Sequence, residues 1–140
     1  MSDIIYPRSP RELMDGWVHL PRFVDKIRLH LAGQLHSDYQ NNFTKGFDDE
    51  WLKAAGVGAP QFIEVVKQSI TDGQVCDWVR QHVKRSETEK GAFNHFVLNR
   101  GRDTEESAAR LKTRKAESGL GHRDDVQTFV DFIDADEKRI

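Results

Sequence analysis

The sequence predicts an all-α fold, a compact single-domain bundle of about seven or eight short helices with little or no sheet. Three observations carry that reading. Capping signatures that start helices recur along the chain, glycines follow the helical patterns at their ends, and apolar residues return at helical rather than two-residue spacing.

A Ser, Thr or Asp at the N-cap satisfies free backbone N–H groups, and a Glu or Gln three residues on reaches back to it. Ser9-Pro10-Arg11-Glu12 has this form and predicts a helix near 10–15, with Pro10 at the first helical position. A second helix, 21–32, follows from Leu20, Phe23, Val24, Ile27 and Leu31, which share one stripe at 100° per residue. The segment 34–47 reads as a loop. Helices near 49–55 and 60–69 come next, the first closed by Gly56. Thr71-Asp72-Gly73-Gln74 opens 72–84, and its Asp-Gly pair lies inside a better helix start than hairpin. Ser86-Glu87-Thr88-Glu89 opens 87–100, and Asp103-Thr104-Glu105-Glu106 opens 104–118. Gly33, Gly101 and Gly119 supply further stops, because glycine adopts the left-handed conformation at little cost. Val126, Phe129, Val130 and Ile133 repeat at i, i+3, i+4 and i+7, which predicts a last helix over 124–137 that docks through them.

One domain, 1–140, is expected, with 1–101 as its core and 102–140 as a charged helix plus a C-terminal docking helix. The charged helix has little besides Leu111 to pack. Phe23, Val24, Ile27, Leu31, Trp51, Phe62, Val66, Val79, Phe93 and Phe96 are the expected buried set.

Hydrophobic residues make up 37% and charged residues 31%, a composition that folds but keeps a heavily charged surface. A formal net charge of -2 gives no global attraction to nucleic acid, and no aromatic residues interleave the Arg110, Lys112, Arg114, Lys115 run to stack on bases. No apolar stretch has the length of a membrane span, and no charged-then-apolar leader opens the chain. With Cys76 as the single cysteine, an intrachain disulfide is excluded, and a reducing cytoplasm suits the composition.

The six histidines lack metal-ligand spacing on any one helix, so no metal site is expected, and no cofactor signature occurs. His82 reads as a core or boundary histidine bonded to backbone, and Cys76 as a small buried hydrophobe. Asp124 and Asp125, in His122-Arg123-Asp124-Asp125, read as caps of the last helix. Phosphate loops, nucleophile elbows and redox cysteine pairs are absent, so the reading leans away from an enzyme.

The strings Tyr6-Pro7-Arg8-Ser9-Pro10-Arg11-Glu12 and Leu20-Pro21-Arg22-Phe23-Val24-Asp25-Lys26-Ile27-Arg28 are more specific than amphipathic filler. With Leu31-Ala32-Gly33, the Phe47 to Gly56 segment, Asp77-Trp78-Val79 and Asn99-Arg100-Gly101, they resemble a bacterial domain-of-unknown-function family, number 5069, over residues up to about 101. The resemblance implies a compact helical cytosolic protein and brings no catalytic residue with it.

Two functions remain in balance. One is a binding module for a small anionic ligand on a basic N-terminal surface made by Arg8, Arg22 and Lys26. Arg22 and Lys26 are four residues apart on the polar side of one helix, and Pro21 in its first turn leaves free N–H groups nearby. On this surface Asp25, Asp15 or Glu12 would be the alternative partners of the cations. The other function is a protein-interaction or regulatory adaptor, supported by Leu29, Leu98 and Phe132, which fall off the apolar stripes. A homo-oligomer is compatible with either.

Overall fold

A computed structural model describes residues 4–140. Among the described residues the order is β1 (Leu13–Met14), β2 (Trp17–Val18), α1 (Leu20–Leu31), α2 (Ser37–Gln40), α3 (Phe47–Ala55), α4 (Ala59–Gln68), α5 (Asp72–His82), α6 (Glu87–Asn99), α7 (Glu105–Glu117) and α8 (Phe129–Asp136). The protein is all-α apart from one two-stranded ribbon, and no described helix is long and apolar enough to cross a membrane.

That ribbon replaces the helix expected over 10–15. Leu13 pairs with Val18 and Met14 with Trp17, antiparallel, around Asp15-Gly16 with φ of 51° and 81°. Two consecutive positive φ values are what a tight hairpin turn demands, and Asp-Gly supplies them readily. Ser9 still caps, but only a turn: its Oγ accepts from Arg11 N–H and its carbonyl from Glu12 N–H. The hairpin wins because it buries Met14 and Trp17 together.

The capping boxes of α5 (Thr71 with Gln74) and α6 (Ser86 with Glu89) form as expected. That of α7 is one residue later than expected, Thr104 with Ser107, because Asp103 instead accepts from Ser107 Oγ and Gly101 N–H. The last helix begins at Phe129, not 124. Thr128 and Asp131 form its box, while Asp125 is forked by Arg123 at 2.8 and 2.7 Å in the preceding loop. The segment 34–47 holds the single-turn α2.

The main core gathers Trp17, Leu20, Phe23, Val24 and Ile27 with Trp51, Phe62, Val66, Val75, Val79, Phe93, Val97 and Val130. Leu31 departs from expectation at 44% exposed: it is the last residue of α1, and the stripe ends at Ile27. Phe96 is half-buried against this core. A smaller cluster joins α7 to α8 through Leu111, Val126, Phe132 and Ala135. Gly101, at φ 109°, is the joint where α6 meets the start of α8, and Arg100 O accepts from Phe129 N–H at 2.8 Å.

Candidate functional site

Between α1, the 37–48 segment and the α7–α8 pair lies a cleft of about 1130 Å³. Helix α1 contributes Arg22 and Lys26, one turn apart, and His19 precedes it. Lys45 and Asp48 come from the approach to and start of α3, Tyr39 from α2, Arg110 and Arg114 from α7, and Phe132, Asp136 and Glu137 from α8 and its end.

The floor is a set of buried ionisable groups. Asp48, fully buried, accepts from Lys26 Nζ at 2.7 Å and from Thr44 N–H at 3.0 Å, and its other oxygen lies 2.7 Å from His19 Nε2. Burial pushes the Asp48 carboxyl up, but the His19 bond and the Lys26 charge together outweigh it and hold the group below its ordinary value. For His19 burial dominates, and its imidazole is pulled below its ordinary value despite Asp48. Beside this triad Arg22 forks the Glu137 carboxylate at 2.9 and 2.6 Å. Tyr39 Oη donates to the same carboxylate at 2.8 Å, and Arg139 bonds it as well. Burial raises Glu137, but Arg22 and these donors bring it below its ordinary value.

The cleft carries more positive than negative charge. Arg22, Lys26, Lys45, Arg100, Arg110 and Arg114 face it against Asp38, Asp48, Asp136 and Glu137. Arg100 pairs with Asp103 outside the cleft and Arg110 approaches Glu106 at 3.9 Å. Among the described residues neither Lys45 nor Arg114 has a carboxylate within 4.0 Å, although Arg114 is near enough to Asp136 to oppose the rise of its carboxyl, and the Arg114 guanidinium stands 5.5 Å from the centre of the Phe132 ring.

The three residues expected to form one basic surface divide. Arg22 and Lys26 meet at the cleft, yet they are 4% and 5% exposed and not on an open polar face, because the α8 end and the 37–48 segment cover that side of α1. Arg8 lies elsewhere: its guanidinium bonds Asp25 at 2.9 and 3.0 Å and Asp72 at 2.8 Å, and only its backbone carbonyl reaches Arg22, at 3.1 Å. Asp25, one of the neighbours foreseen as a partner, thus takes Arg8, whereas Arg22 and Lys26 find Glu137 and Asp48.

Reasoning from the sequence missed His19, Tyr39, Lys45, Asp48, Arg114 and Glu137. Asp48 opens a helix beside Asp49 and Glu50 and is indistinguishable in sequence from an ordinary acidic first turn. Glu137 is separated from Arg22 by most of the chain. Elsewhere, His82 is exposed, bonds Trp78 O at 2.9 Å and stacks on that ring, and Cys76 is half-buried. Leu29 and Leu98 are half-buried and Phe132 belongs to the smaller core. Among the described residues no group of three or more His, Cys, Asp or Glu has the arrangement of a metal site.

A family model described as "Domain of unknown function (DUF5069)" matches residues 4–139, so the match runs on through the charged segment after Gly101. No curated protein matches the chain.

Proposed function

We propose that this chain, which belongs to the DUF5069 family, uses the cleft to hold a small anionic ligand. The observation that carries the reading is the excess of cations facing the cleft, where Lys45 and Arg114 form no close ion pair among the described residues and Arg114 acts only at longer range on Asp136. Buried Arg22 and Lys26, fixed by Glu137 and Asp48, form a rigid floor, and Lys45 and Arg114 supply the direct contacts to the anion. Arg8 has no part in this site, since Asp25 and Asp72 occupy it. The cleft has about the volume of a metabolite site, and the Phe132 ring beneath Arg114 supports that guanidinium at the cleft edge. A cytoplasmic setting, supported by the single cysteine, would supply such ligands.

A thermal-shift screen across nucleotides, phosphorylated metabolites and dicarboxylates tests the reading, because a ligand that prefers the native state raises its Tm. At least one anion is expected to raise Tm in the intact protein and to lose that effect in the Lys45→Ala, Arg114→Ala double variant. No shift with any anion, or an equal shift in the variant, would count against it.

A further inference from the structure

Residues 37–46 run along one side of the cleft between α1 and α3, and they are fixed at both ends. Leu35 is buried before them, and Phe47 packs against the main core after them. Within the segment most side chains are exposed, while Phe43 leans on the core, stacked on His30 with ring centres 4.4 Å apart. The other bonds that hold it down are polar and reach the floor of the cleft. Tyr39 Oη donates to Glu137 at 2.8 Å, Thr44 N–H donates to Asp48 at 3.0 Å, and Lys26 Nζ approaches Asn42 O at 3.4 Å.

The turn that carries Lys45 is strained. Thr44 has φ 62°, a left-handed conformation that a β-branched residue seldom adopts. Gly46, on the other side of Lys45, has φ 58° and ψ -127°, a mirror-extended backbone that suits glycine. Strain of this kind persists only while surrounding bonds hold it, and here the holding bond is the one from Thr44 to Asp48. The shut arrangement therefore carries a bias toward opening. A bound anion acts against that bias, because Lys45 belongs to the segment and Arg114 to α7 across the cleft. An anion held by both ties the segment to α7, and so binds better to the shut state than to the lifted one.

We propose that residues 37–46 are a flap, latched by Tyr39 on Glu137 and by Thr44 on Asp48, that lifts to admit the anion and shuts over it through Lys45. This rests on the anion-binding reading of the cleft and adds a gate to it.

The test follows hydrogen exchange of the backbone amides by NMR in the intact protein, with pyrophosphate as the probe, since exchange of a bonded amide reports the opening that exposes it. In the free protein the Thr44 amide is expected to exchange about tenfold or more faster than those of Val24 and Ile27 inside α1, and saturating pyrophosphate to slow it about tenfold or more. Tyr39→Phe leaves Glu137 its bonds to Arg22 and Arg139 and should speed the Thr44 exchange about threefold or more. Thr44→Asn keeps the N–H and suits the left-handed backbone, so exchange at that position, corrected for its intrinsic rate, should slow by about the same factor. A Thr44 amide no faster than Val24 and Ile27 in the free protein, or pyrophosphate that binds without slowing it, would overturn the flap and leave the anion site standing. No saturable binding of pyrophosphate, together with no shift from any anion of the thermal screen, would overturn the anion-binding reading and this proposal with it.

Discussion

Arg22 and Glu137, 115 positions apart in sequence, form a two-point ion pair in which both side chains are buried. The pair ties the end of α8 to α1 and closes one side of the cleft. Arg11 reinforces the closure by bonding Asp134 at 3.0 Å and also Asp131, and Arg139 bonds Pro7 O.

Removing one partner of such a pair leaves the other charge buried and unmatched, which costs about 3–5 kcal/mol. Glu137→Gln is therefore expected to lower unfolding free energy in urea by that amount. Limited proteolysis of the same variant should open 128–140 earlier than in the parent protein. A loss below about 1 kcal/mol would show that α8 holds its place without the pair.

His19 gives the protein a pH dependence of definite sign. Its folded value lies below the ordinary 6.5, so on acidification the unfolded chain takes up a proton before the folded one does. The stability is fully present above pH ~6.5 and falls below it by up to about 1.4 kcal/mol per pH unit, until the depressed folded value is passed. Asp48 and Glu137, held below their ordinary 3.8 and 4.5, add a separate decline at lower pH. Urea denaturation at several pH values from 7.5 to 5 should show the first decline in the parent protein and a flatter profile in His19→Asn.

Gly101 has no room for a side chain. A Cβ there would lie 3.0 Å from Leu111 Cδ2 and 3.1 Å from both Phe129 N and Thr128 Cα, at a φ of 109°. Gly101→Ala should cost roughly 2–5 kcal/mol, from backbone strain and overpacking together. Gly33→Ala, at φ 70° with nothing within 4 Å, should cost about 1–2 kcal/mol. Equal losses in thermal unfolding would mean that the α6–α8 joint is looser than its geometry.

Phe62, with no exposed surface, should cost about 3–5 kcal/mol when truncated to Ala, and Leu31, at 44% exposed, less than about 1 kcal/mol. Chemical denaturation of the two variants separates the real end of the α1 stripe from the one its periodicity suggests.

Local chemistry was legible where one interaction decides the structure. The boxes at Thr71 and Ser86 and the stops at Gly56 and Gly101 could be read directly, since cap and backbone preference act within a few residues. Competition between local signals was harder to resolve: Ser9 to Glu12 satisfies a helix-start pattern, but Asp15-Gly16 and the burial of Trp17 decide for a hairpin. The site was half-legible. Spacing placed Arg22 and Lys26 together on α1, while their burial depends on Asp48 and Glu137, brought in by tertiary packing that no local pattern encodes. Arg8 reads as one more cation in sequence, and only the folded chain sets it between Asp25 and Asp72.

Calorimetric titration with pyrophosphate of the parent protein and of the Lys45→Ala, Arg114→Ala double variant tests the proposed anion site most directly. The parent is expected to bind one equivalent saturably. The variant, its helical circular dichroism intact, should bind about tenfold or more weaker, since two charge-assisted contacts are gone. An unchanged affinity in the folded variant, or no saturable binding by the parent of pyrophosphate together with no shift from any anion of the thermal screen, would contradict the assignment of the cleft as an anion site.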